Sequence, residues 1–253
     1  MKEYKTILVE KHDFIGKIIY NQPEKRNPMN SKMIEEATDA FDDFEKDPGV
    51  KVIIVTHNGP VFHSGMPMKE LYGKSYEEIL KVSKNFDNYS KMIQRDITKP
   101  VISVGYGRGP TQWADIIILS DKAQYATRGI DLGLVCGATR SGAFLVGFKR
   151  NKRMVLSGDI ISAQQALDWG YVDVVVPHDK LEETAMMWAK KMAQKSPIAF
   201  RLIKRALWET RNMTPEEAWS YLEEIFCRHA ASEAGQDAIK AFIEKRTPPW
   251  LAD

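Results

Sequence analysis

Short β-branched apolar runs alternate with glycine- and proline-bearing turns over the first half of the chain, and helical apolar spacing takes over in the last third. Residues 7–9 and 16–20 read as two strands around the polar turn Lys11-His12-Asp13-Phe14. The loop 21–30, NQPEKRNPMN, carries prolines that bias the residues before them away from helix. Ile34, Ala37, Phe41 and Phe44 then recur at helical spacing, with Glu35 and Glu36 early in the helix, until Asp47-Pro48-Gly49 stops it. Residues 52–56, 101–104 and 116–119 are buried-strand runs, the first two followed by glycine-bearing loops, and a short helix is expected to begin near Thr111. Helices are expected over 163–169, 181–194, 197–210, 215–229 and 232–245, interrupted only by a strand at 172–176. This alternation predicts parallel β–α units over an antiparallel sandwich: an α/β core over 1–195 and a helical region over 196–253.

Composition narrows the function classes. The 253 residues suffice for a substantial core, and 43% hydrophobic with 28% charged residues is ordinary globular composition, which excludes wholesale disorder. Thirty-six basic against 34 acidic residues leave a net charge of +2, with no basic stripe for nucleic acid. No apolar run is long enough to span a bilayer, and the N-terminus lacks a signal-peptide core, so a cytoplasmic location is expected. Cys136 and Cys227 are too few for a disulfide framework or a zinc site.

The two loops with most chemical potential are 60–71 (PVFHSGMPMKEL) and 105–113 (GYGRGPTQW). A strand feeding a glycine turn exposes backbone N–H groups that can hold an anion or a developing oxyanion. Neither loop matches a phosphate-binding fingerprint: the second contains GxG without the third glycine, and no GxxxxGK[ST] occurs.

At these loops the chain resembles the crotonase (enoyl-CoA hydratase/isomerase) superfamily. Residues 21–30 look like the family's N-x-P-x-x-x-N-A loop, and VFHSGMPMKEL like its F-x-A-G-x-D segment. ADIIILSDKAQYA (114–126), the stretch 155–181, SPIAFRLIKRAL (196–207) and AFIEKR (241–246) follow in order. The resemblance implies a crotonase-like spiral of ββα units with a C-terminal helical region that assembles trimers or hexamers. It also implies an acyl-CoA thioester substrate, with coenzyme A as part of the substrate and no separate cofactor. The thioester oxygen would sit between the Met66 N–H and a donor from Gly107-Arg108-Gly109. Lys25, Arg26 and Lys69 would hold the CoA phosphates and adenine, and Phe242 and Lys245 would reach a neighbouring subunit's CoA.

Departures from the family pattern bear on the reaction. The hydratase glutamates would fall at Thr111 and Gly129, and the segment 99–115 is several residues short. Hydration needs a carboxylate to activate water, so Asp131, two residues past Gly129, and His63, three residues before Met66, are the candidate replacements, with Cys136 a third. Tyr106 and Arg108 are candidate hydrogen-bond donors to substrate. Pro67 stands where the family has Asp, and leaves the preceding N–H intact. Three functions fit: an acyl-CoA hydratase or isomerase, a C–C hydrolase acting on a cyclic diketone or a 3-oxoacyl-CoA, and a non-catalytic CoA-thioester-binding or assembly subunit.

Overall fold

The computed structural model describes residues 2–107, 109, 113–135 and 145–251. Strands β1 (Ile7–His12) and β2 (Ile15–Tyr20) form a hairpin whose two-residue turn puts Asp13 at φ +52°, a conformation Asp tolerates. From β2 onward every pairing in the main sheet is parallel, through β3 (Val52–His57), β4 (Val101–Gly105) and β5 (Ile116–Ser120). Strands β6 (Gln124–Tyr125) and β7 (Ile161–Ser162) pair separately, and β8 (Val174–Val176) closes the main sheet beside β5. The six strands of that sheet therefore lie in the order β1-β2-β3-β4-β5-β8. The parallel order agrees with the alternation of runs and loops along the chain.

Helix α1 (Ser31–Lys46) is built as its spacing predicts: Met33, Ile34, Ala37, Ala40, Phe41 and Phe44 are buried, and the Asn30 side chain caps the Met33 N–H at 2.8 Å. Two further helices, α2 (Tyr76–Lys91) and α3 (Phe148–Ser157), were not expected from the sequence. α2 buries only Tyr89 and Ser90, and α3 only Asn151, Met154 and Val155. α2 runs into a π-helical turn at Met92–Asp96 that leads to β4. The short helix expected near Thr111 lies outside the described residues. Then follow α4 (Ala163–Asp168), α5 (Leu181–Ala193), α6 (Pro197–Thr210), α7 (Pro215–Ala231) and α8 (Glu233–Ile243).

Apolar clusters cover both faces of the sheet. Ile18, Tyr20, Ile53 and Val55 pack with α1 and Tyr89 on one side, while Val52, Ile54, Ile102 and Ile118 meet Leu181, Ala185 and Ala189 of α5 on the other. The helical region is tied back to the sheet by an ion pair: buried Lys204 of α6 meets Asp115 Oδ2 at 2.8 Å, and the same carboxylate oxygen accepts the Val101 N–H at 2.8 Å. Removing one partner of such a pair strands the other charge away from water. Asp115→Ala should therefore destabilise the fold by about 3–5 kcal/mol, read as a lowered urea midpoint. The Asp115→Leu/Lys204→Met double variant should recover most of the loss.

Candidate functional site

Three loops leave the same end of three neighbouring strands. Tyr20 and His57 end β2 and β3 in register, and β4 lies beside β3 with its C-terminus pointing the same way. Segments 21–30, 58–67 and the turn after Gly105 therefore emerge side by side, beyond the carboxyl ends of parallel strands, where open α/β sheets bind ligands.

The first two loops are stitched together by hydrogen bonds. Asn27, with no exposed surface, accepts the Gln22 N–H on Oδ1 at 2.7 Å and donates through Nδ2 to the carbonyls of Asn58 (2.9 Å) and Val61 (2.8 Å). Its own carbonyl accepts the Ser64 N–H at 3.3 Å. Two residues on, the Met29 N–H donates to the Gly65 carbonyl at 3.0 Å. In a trans peptide the C=O and the next N–H point in opposite directions. Fixing the Gly65 carbonyl toward Met29 therefore turns the Met66 N–H away from that loop, and it finds no acceptor among the described residues. Glu70 accepts the Ser31 N–H (3.1 and 3.2 Å) and the Ser31 hydroxyl (2.9 Å), a further tie between the segments.

The second glycine turn packs directly on the first. A Cβ on Gly107 would lie 2.1 Å from the Pro60 carbonyl oxygen, and one on Gly109 would lie 2.9 Å from the His63 carbonyl oxygen. Gly109 also holds φ +77°, so both positions require glycine. The Gly109 N–H is bonded to the Gln124 carbonyl at 3.2 Å, so this amide is not a free donor. The Gly107 N–H has no acceptor among the described residues, and Arg108 lies outside them.

Two imidazoles hold the turns as acceptors. His63 Nδ1 accepts the Gly65 N–H at 3.2 Å, and His57 Nε2 accepts the Tyr106 N–H at 3.3 Å. Desolvation pushes both down to about 4 from 6.5, so both are neutral at pH 7. The His63 Nδ1 lone pair is thus occupied and the proton resides on Nε2. The general-base reading of His63 gives way to that of a turn-holding acceptor. His63 stacks on buried Trp113, and His57 on Tyr106, whose hydroxyl donates to the His57 carbonyl at 2.8 Å. Tyr106, a candidate donor to substrate, therefore has its hydroxyl engaged within the protein.

The other sequence candidates divide. Lys25 and Arg26 are exposed on the Asn27 loop, and Lys69 is exposed on the turn Met68–Glu70, so the stitched loops carry all three cations. Phe242 and Lys245 lie at the end of α8, whose packing is against α7 and the C-terminal turn Pro249–Leu251, so one chain does not bring them to the loops. Asp131 sits on the exposed turn Ile130–Leu132, paired with the Arg128 guanidinium and packed beside Gly158 at the end of α3. Thr111, Gln112 and Cys136 lie outside the described residues. Among the described residues no His/Cys/Asp/Glu group could hold a metal ion. Sequence reading passed over Asn27, His57 and Trp113. Asn27 carried a signal, being a left-handed-tolerant residue set before a proline in a turn-rich loop.

Comparison with known proteins identifies the family. The family model for enoyl-CoA hydratase/isomerase matches residues 10–253. Enoyl-CoA hydratase domain-containing protein 3, mitochondrial, of Xenopus laevis is 32% identical over 97% of this chain and 85% of its own length. The 2,3-dehydroadipyl-CoA hydratase of Escherichia coli is 28% identical, over 96% of this chain and 98% of that protein. Among solved structures, human enoyl Coenzyme A hydratase domain-containing protein 3 superposes with a TM-score of 0.89 at 28% identity, covering 97% of this chain and all of that one. With the parallel sheet, the stitched loops and a match over nearly its whole length, the chain belongs to the enoyl-CoA hydratase/isomerase family, and its fold is the crotonase fold.

Proposed function

We propose that this protein acts on acyl-CoA thioesters, stabilising a thioester enolate or tetrahedral oxyanion with the Met66 N–H and a second amide from the turn beginning at Gly107. The observation that carries this reading is the orientation of one peptide: the Gly65 carbonyl is held by Met29, and the Met66 N–H is left without an acceptor among the described residues. A preorganised amide of this kind is worth most where charge develops in the transition state. Lys25, Arg26 and Lys69 suit the CoA phosphates as exposed cations on the same loops. The relatives named as hydratases support the substrate class. The reaction differs from glutamate-pair hydration, because Thr111 and Gly129 stand where the two carboxylates would be and Asp131 is held by Arg128.

The decisive experiment is a panel of unsaturated, 3-oxo and saturated acyl-CoA thioesters, followed by absorbance and mass, with binding measured calorimetrically. Turnover of at least one member is expected, and Met66→Pro, which deletes the N–H, should lower kcat about 10²–10³-fold. Tight binding without any turnover would reduce the protein to a thioester-binding subunit, and no binding at all would sink the proposal.

Assembly forms part of the same reading. Helix α7 buries none of its residues, and Trp219 and Phe226 stand 75% and 71% exposed. Exposed aromatics on one helix suit a contact between copies, which would also bring Phe242 and Lys245 to a neighbour's CoA. Sedimentation of the purified chain should give three or six copies, and Trp219→Glu with Phe226→Glu should shift it to smaller species. The cytoplasmic location expected from the N-terminus stays a proposal, since the Xenopus laevis relative is named as mitochondrial; no described helix is long and apolar enough to cross a membrane.

The two acceptor histidines add a pH dependence. Each has a folded-state pKa near 4 against 6.5 when solvated. The unfolded chain therefore binds more protons between these values, and the stability they contribute is complete above pH 6.5 and declines as pH falls toward 4. Urea midpoints measured between pH 7 and pH 4 should fall, with a shallower slope in His57→Gln than in the wild type.

A further inference from the structure

Arg26 and Asn27 hold φ +63° and +47°, two consecutive left-handed residues that are not glycine, and Asn27 precedes Pro28. Such backbone is strained for a side-chain-bearing residue and persists only where its surroundings over-determine it. The surroundings here include three hydrogen bonds of the Asn27 side chain, one from the Asn27 N–H to the Gln22 carbonyl, one from Ser64 to the Asn27 carbonyl, and one from Met29 to Gly65. The Asn27 side chain is fully buried, so its three bonds are shielded from competing water.

Direction matters more than the number of bonds. Asn27 Nδ2 grips Val61 and Asn58 at the start of the 58–67 loop, its carbonyl grips Ser64 in the middle, and the chain then reaches Met29, whose N–H fixes Gly65. Ser64 and Gly65 are the two residues immediately before Met66. On the chain's other side, Lys25 and Arg26 directly precede Asn27 and are exposed. We infer that Asn27 is a positioning residue that fixes the direction of the Met66 amide and makes the exposed cations Lys25 and Arg26 part of the same hydrogen-bonded unit. It touches no substrate; it acts through the peptide 65–66. Contacts made at the remote end of a bound molecule are thereby mechanically joined to the amide at its reacting end, which is how remote binding energy is used at a reacting centre.

This inference rests on the thioester reading, and its test separates the two. Wild type, Asn27→Gly and Asn27→Asp are titrated calorimetrically with a saturated acyl-CoA and with its S-alkyl thioether of equal chain length, which lacks the carbonyl oxygen. Glycine keeps the left-handed backbone without the side chain, and aspartate keeps the shape and the acceptor while losing both donated bonds. Wild type should prefer the thioester by about tenfold, the worth of one or two net hydrogen bonds. Both variants should lose that preference while holding thioether affinity within about twofold, a split that general loosening would not produce because it would weaken both ligands. If neither variant shows a cooperative thermal transition, Ser64→Pro, which deletes the N–H bonded to the Asn27 carbonyl at an exposed position, carries the same comparison. A wild-type preference that survives in the folded variants overturns the role of Asn27 and leaves the thioester reading standing. No preference in the wild type overturns both.

Discussion

The Met29 N–H bond to the Gly65 carbonyl is the constraint on which the rest of the site depends. A peptide is a rigid plane, so fixing its oxygen fixes its hydrogen. One bond made by a buried methionine, remote from any chemistry of its own, thereby determines where the Met66 amide points. Two residues before Met29, Asn27 holds the loop in a left-handed conformation against the sterics of the following proline. Polar burial, backbone strain and ligand-directed geometry are here one arrangement seen at three scales.

Why the loops meet at all is a matter of sheet topology. Strands β2, β3 and β4 are adjacent and parallel, so their following loops share one edge and must pack on each other. The packing is close: Gly107 and Gly109 approach the backbone of residues 60–63 within the space a Cβ would take. Neutral imidazoles then act as fixed acceptors on each turn, one for the Gly65 N–H and one for the Tyr106 N–H. Burial keeps them neutral, and an imidazolium could accept neither bond. The aromatic contacts of His63 with Trp113 and of His57 with Tyr106 hold the rings in the orientation those bonds need.

The departures from glutamate-pair hydration acquire a physical meaning against this scaffold. Asn27, Met29 and His63 support the first amide through one connected set of hydrogen bonds, whereas the sequence resemblance puts Thr111 and Gly129 where the two carboxylates would fall. Asp131, the nearest acid in sequence to the second of these, is exposed and neutralised by Arg128. The loops that hold the Met66 amide and the positions of the acid/base side chains are thus separable parts of the fold.

Much of the fold was legible in sequence. Helical apolar spacing located α1 and α4–α8, and short β-branched runs located β1–β5 and β8. Helices α2 and α3 and the two-residue strands β6 and β7 were not expected from the sequence. Motif order marked the two glycine turns, the cationic loop and the missing carboxylates, all of which are properties of residue identity. Three-dimensional structure alone decided how those residues are used. It engaged the Gly109 amide with Gln124 and left the Gly107 and Met66 amides free among the described residues, since hydrogen-bond partners are chosen by neighbours distant in sequence. It turned His63 from candidate base to acceptor, because tautomer and basicity follow from burial and from the Gly65 N–H. It also tied Asn27, one polar residue in a polar loop, to Asn58, Val61 and Ser64, partners brought to it by the adjacent parallel strands.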